Sequence, residues 1–99
     1  MITSKQRAYL RSLANPIDAI FQVGKSGITD NLIKQIGDAL EARELIKFTV
    51  LEAAPDTMQA IANEVATATN SIVVQTLGKK VTLYRAKKKN PKIVLPDFK

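Results

Sequence analysis

Apolar positions recur along the chain with two different periods, and the switches between them divide it into seven elements. Leu10, Leu13 and Ala14, with Tyr9 beside them, share a helical face in a segment that Thr3 or Ser4 can cap and that Asn15-Pro16 ends. Lys5, Arg7 and Arg11 fall largely off that face. Ile17, Ala19, Phe21 and Val23 then alternate with Asp18, Ile20 and Gln22, the period of a strand. A second helix starts at Thr29 or Asp30, with Leu32, Ile33, Ile36, Ala39 and Leu40 on one face. Gly37 inside it costs about 1 kcal/mol relative to alanine. Ile46 to Leu51 reads as a second strand. The turn Ala53-Ala54-Pro55-Asp56 follows, with Asp56 as the expected N-cap of a third helix. That helix turns Met58, Ile61, Ala62, Val65 and Ala66 inward and ends at Thr69-Asn70. Ile72 to Leu77 and Val81 to Arg85 are strands joined by Gly78-Lys79-Lys80, and should form a hairpin.

This order predicts an α/β two-layer sandwich, α-β-α-β-α-β-β, with a four-stranded mixed sheet. Two right-handed crossovers advancing in one direction would put the second and third helices on one sheet face. At 99 residues the chain can bury one core. Residues 1–86 are expected to form a single domain and 87–99 a basic, partly ordered tail, whose Ile93-Val94-Leu95 run should dock back on the domain or, as the alternative, meet a partner.

Composition narrows the chemistry. There is no cysteine and no histidine, so zinc sites of the usual kind, Ser-His-Asp triads and imidazole catalysis are excluded. The opening residues are polar and basic with no long apolar run behind them, so no signal peptide is expected, and no stretch is long and apolar enough to span a membrane. These features point to a cytoplasmic protein.

The net charge of +6 is unevenly spread. Residues 1–34 hold Lys5, Arg7, Arg11, Lys25 and Lys34 against Asp18 and Asp30, a net of +3. Residues 35–78 hold Arg43 and Lys47 against Asp38, Glu41, Glu44, Glu52, Asp56 and Glu64, a net of −4. Residues 79–99 hold Lys79, Lys80, Arg85, Lys87, Lys88, Lys89, Lys92 and Lys99 against Asp97, a net of +7. Cations gathered at both ends and at one loop suit a polyanion. A solvated basic surface that only aids solubility is the plainer reading.

The loop is Val23-Gly24-Lys25-Ser26-Gly27-Ile28-Thr29, between a strand and a helix. Its glycines allow positive φ or close approach of a ligand to the backbone, and the helix start offers amide N–H groups. Three function classes compete. A phosphate-binding loop of a nucleotide hydrolase needs a glycine five positions before Gly24, where this chain has Ala19. A nucleotide substrate, a cofactor and a catalytic residue are therefore not expected. A protein–protein interaction module would use Gly24 and Gly27 only as a tight turn. An RNA-binding domain would use Gly24, Lys25, Ser26 and Gly27 to clamp a ribose-phosphate backbone, as glycine-x-x-glycine loops do. In that case Gly27→Val should block the approach of RNA with the fold retained. Lys5, Arg7, Arg11, Lys79, Lys80 and Arg85 are further candidate contacts, with Lys87, Lys88 and Lys89 as an electrostatic arm. Aromatic residues are 5% of the chain, which disfavours a base-stacking platform.

The chain resembles the CRM domain (chloroplast RNA splicing and ribosome maturation), in particular its small stand-alone bacterial members, the YhbY-like proteins. The resemblance rests on Lys5-Gln6-Arg7 with Leu10 to Ala14, Val23 to Thr29, Glu44-Leu45-Ile46-Lys47, Leu77-Gly78-Lys79, Leu83-Tyr84-Arg85 and Lys92 to Pro96, in that order. It implies a fold similar to the C-terminal domain of bacterial translation initiation factor three. It also implies RNA binding through the glycine loop and the basic residues around it. The implied partners are ribosomal RNA or its precursor in pre-large-subunit particles, and the implied role is maturation of the large ribosomal subunit.

Overall fold

The computed structural model describes residues 2–87 and Ile93. Helix α1 spans Ser4–Ala14. Thr3 caps it: its hydroxyl accepts the Gln6 N–H at 3.1 Å, and the Gln6 side-chain oxygen accepts the Thr3 N–H at 3.0 Å. This reciprocal pair fixes the start of the helix. Strand β1 is Ala19–Val23, shorter than the Ile17 start expected from alternation alone.

Helix α2, Asp30–Arg43, starts at Thr29, whose hydroxyl accepts the Leu32 N–H at 3.1 Å. It stops at Glu44, whose φ of 67° leaves the helical region. Strand β2 is Leu45–Val50, and α3 is Met58–Thr69. The cap of α3 is Thr57, which accepts the Ala60 N–H at 3.2 Å. The expected cap, Asp56, instead accepts the Thr57 N–H at 2.8 Å and so steadies the capping residue. Strands β3, Ile72–Leu77, and β4, Lys80–Tyr84, complete the expected order.

The sheet order is β1-β2-β4-β3. Strand β1 runs parallel to β2, and β4 is antiparallel to both of its neighbours. The hairpin therefore turns back and inserts β4 between β2 and β3, giving the mixed sheet. One sheet face carries Val23, Ile46, Phe48, Val50, Val81 and Leu83, packed with Ile36 and Leu40 of α2 and with Ile61, Ala62 and Val65 of α3. Burying each such aliphatic or aromatic side chain is worth roughly 1.5–3 kcal/mol.

Helix α1 lies on the opposite face, near its foot. Leu10 and Ala14 pack there with Leu45, Val74 and Tyr84. Leu45 and Tyr84 alternate in β2 and β4 with Ile46 and Leu83 of the first core, so the two cores face opposite ways.

Two polar features tie the foot of the fold together. The Glu44 side chain is fully buried, and its carboxylate accepts the Lys87 N–H at 3.4 Å and the Ile93 N–H at 3.0 Å. Ile93 also packs against the α1 core. The docking expected of the tail is thus seen at Ile93, while Val94 and Leu95 lie outside the described residues. At the edge strand, β3 has an irregularity between Val73 and Gln75. The Arg7 guanidinium donates to the carbonyls of Val73 and Val74 there, the latter at 2.9 Å.

Candidate nucleic-acid interface

Strand β1 delivers the chain to the edge of the sheet, and the glycine loop turns it into α2. The Gly27 N–H donates to the Gly24 carbonyl at 2.9 Å, closing a turn with Lys25 and Ser26 at its tip. Both tip residues are exposed. The loop base is held by the Leu51 N–H, which donates to the Val23 carbonyl at 2.9 Å. The turn is thereby anchored to the end of β2 while its tip stays in solvent.

The two glycines do different work. Gly27 is buried with φ +70°, and an added Cβ would lie 3.0 Å from Pro55 Cγ. It is needed to make the turn and to seat it on the loop after β2. Gly24 has no positive φ, and an added Cβ would sit 3.5 Å from the Leu51 side chain, an ordinary contact. Gly24 is only partly buried, so it is the glycine whose backbone a ligand can approach. The expectation that Gly27→Val would spare the fold is corrected by this geometry.

Beside the turn lies a depression of about 370 Å³, lined by Gln22, Lys25, Ser26, Thr29, Asn31 and Gln35 together with Gly24, Gly27 and Leu32. Among the described residues its side chains are mostly neutral hydrogen-bonding groups, with one cation and no carboxylate. Gln22, Asn31 and Gln35 are not among the candidates read from sequence. Their signal is faint: Gln22 is a polar position in the β1 alternation, and the other two lie on the open side of α2.

The remaining candidates fall into three groups. Lys79 and Lys80 stand at the loop end of the sheet, since Lys80 pairs with Thr49 and the Val50 N–H donates to the Lys79 carbonyl at 2.7 Å. Lys79 also meets Glu52 at 3.2 Å, an exposed pair of small energetic weight.

Arg85 and Lys87 lie at the opposite end, beyond the Leu45–Tyr84 pairing. Arg85 donates to the carbonyls of Thr69 and Gly37, each at 2.8 Å, and approaches Glu41 at 3.5 Å. Its guanidinium joins α2 to the end of α3 and is turned away from the loop.

Helix α1 holds the third group. Arg7 is engaged on β3, whereas Lys5 and Arg11 are exposed. Lys88 and Lys89 lie outside the described residues. Among the described residues no cluster of three or more acidic side chains could hold a metal ion, and no helix is long and apolar enough to cross a membrane.

The signature of the CRS1/YhbY (CRM) domain matches residues 2–85. The chain is 47% identical over 96 residues to the probable RNA-binding protein YqeI of Bacillus subtilis (strain 168), covering 97% of this chain and 100% of that protein. It is 35% identical over 95 residues to a protein of Haemophilus influenzae described as an RNA-binding protein, covering 96% and 95% of the two. Neither description names a catalytic activity. The solution structure of the hypothetical protein SAV1595 from Staphylococcus aureus superposes with a TM-score of 0.81 at 51% identity, covering 97% of this chain and 100% of that one.

Proposed function

The chain belongs to the CRS1/YhbY (CRM) domain family, and from that membership and the geometry of the glycine loop we propose that it is a non-catalytic RNA-binding protein acting in maturation of the large ribosomal subunit. One observation carries the reading. A buried glycine sets a turn whose exposed Lys25–Ser26 tip lines a cleft with no carboxylate among its described residues. An RNA backbone can close on Gly24, with Lys25 meeting a phosphate and Ser26 and Thr29 offering hydroxyls. Lys80, at the same end of the sheet, extends the positive potential. Contacts of this kind read the sugar-phosphate chain more than the bases, so affinity exceeds sequence selectivity.

The ribosomal assignment is supported by the resemblance to stand-alone bacterial members of the family. Crosslinking in cells followed by sequencing of the attached RNA tests it. Large-subunit ribosomal RNA should dominate the recovered fragments. A broad spread over messenger RNA would refute the ribosomal role, and recovery of no RNA would refute the reading altogether.

A further inference from the structure

Among the described residues, the elements packed on the sheet face that carries α1 cover only its lower half. Helix α1 packs over Leu45, Tyr84 and Val74 at the foot. Thr82, one step up, is still buried, but its cross-strand neighbours Lys47 and Gln75 are only partly so. In the next row Gln22 pairs with Thr49, Thr49 with Lys80, and Lys80 with Leu77. Gln22 and Lys80 are exposed, Thr49 is partly buried, and Leu77 is 70% exposed. Cross-strand partners share a face, so these side chains form one continuous surface.

We infer that this open upper half of the sheet is a second RNA-contacting surface, continuing the track that starts at the glycine loop. The inference rests on the loop reading proposed above and extends it to residues outside the loop. Two features argue for RNA as the occupant. The first is continuity: Gln22 lines the cleft beside the turn and also opens the Gln22–Thr49–Lys80 row. The second is charge. Lys47 and Lys80 stand on the face, and the rows just described contain no carboxylate. Asp38 is paired with Lys34 on α2, and Glu52, at the loop end of the sheet, is paired with Lys79. Neighbouring strands are about 4.8 Å apart, so Lys80 lies roughly 10 Å across the sheet from Gln22. A strand leaving the Lys25 tip meets Gln22, then Thr49, then the Lys80 ammonium. Gln22, Thr49 and Gln75 supply neutral hydrogen bonds to phosphate and 2′-hydroxyl groups along that path.

The test uses the full chain and single-stranded oligouridine as probe, with affinity measured against salt. Removing one lysine–phosphate pair flattens the log–log slope by about 0.7 on a single strand. Lys47→Gln with Lys80→Gln should weaken binding several-fold and flatten the slope by about 1.4, and adding Lys25→Ala should bring the total to about 2.1. Thermal melts check the fold. Should Lys47→Gln disturb the sheet, Lys80→Gln alone, at an exposed position, should still flatten the slope by about 0.7. If the lysine variants of the sheet bind as the wild type does while Lys25→Ala is weakened, the sheet track is wrong and the loop reading stands; the face then belongs to a protein or to solvent. If Lys25→Ala is also unaffected, both readings fall.

Discussion

Gly27 faces Pro55 across a space too tight for an unshifted side chain: a Cβ at position 27 would lie 3.0 Å from Pro55 Cγ and 3.4 Å from Pro55 Cδ. The glycine loop and the loop after β2 are thus fitted to each other through a missing side chain. Gly27→Ala should destabilise the protein by about 1–2 kcal/mol from the left-handed backbone alone, and Gly27→Val by more. Urea unfolding measures the difference. Wild-type stability in Gly27→Ala would show that neither the left-handed backbone nor Pro55 constrains position 27.

Gly24→Ala is the cleaner probe of backbone approach. Its Cβ meets only Leu51 at 3.5 Å, so the melting temperature should stay near that of the wild type. On the proposed loop reading RNA affinity should nonetheless fall, because the methyl group would narrow the approach of the phosphodiester to the main chain. Unchanged affinity would mean that the RNA does not touch the chain at Gly24.

Lys25→Ala removes a charge at an exposed turn tip. Binding to unrelated RNAs should weaken about equally, with the salt slope flattened by about 0.7 for a single-strand contact. A loss confined to one sequence would instead make Lys25 a reader of bases.

Arg85 separates stability from binding. Arg85→Gln leaves the carbonyls of Thr69 and Gly37 short of a charged donor, which should cost about 2 kcal/mol. The salt slope for RNA should not change. A flatter slope with unaltered stability would put Arg85 among the RNA contacts.

Tyr84 gives the fold an alkaline signature. Burial, and secondarily the neighbouring Glu44 carboxylate, raises its phenol above the ordinary value of 10.0. As pH rises past about 10, the unfolded chain loses this proton before the folded one does. The stabilisation is therefore complete below about pH 10 and declines as pH climbs toward the folded-state value. Wild type should lose stability more steeply than Tyr84→Phe above about pH 10. Parallel curves in urea would remove Tyr84 from the alkaline transition.

Much of this architecture is legible in the sequence because local signals agree with tertiary packing. The helical face of Leu32, Ile33, Ile36 and Leu40 does pack inward, and the glycine turn lies between β1 and α2 as its residues suggest. Less legible is whatever depends on distant partners. Insertion of β4 between β2 and β3 follows from sheet pairing, which no local pattern encodes. The basic residues look alike in the sequence. Arg7 and Arg85 differ from Lys25 because their guanidinium groups reach carbonyls 66 or 67 and 16 or 48 residues away. The same holds for Gly27, where the room left for a side chain is limited by Pro55.

The buried Glu44 carboxylate bears on how a minimal fragment should be cut. The family signature stops at residue 85, and a chain trimmed there would keep every helix and strand described above. It would also strip the amides of Lys87 and Ile93 from a carboxylate that is fully buried in the whole chain, and losing hydrogen bonds of that kind costs stability. A fragment ending at residue 85 should therefore unfold at lower urea than the full chain, because the donors of one acid group, and not the last turn of regular structure, are lost with the cut.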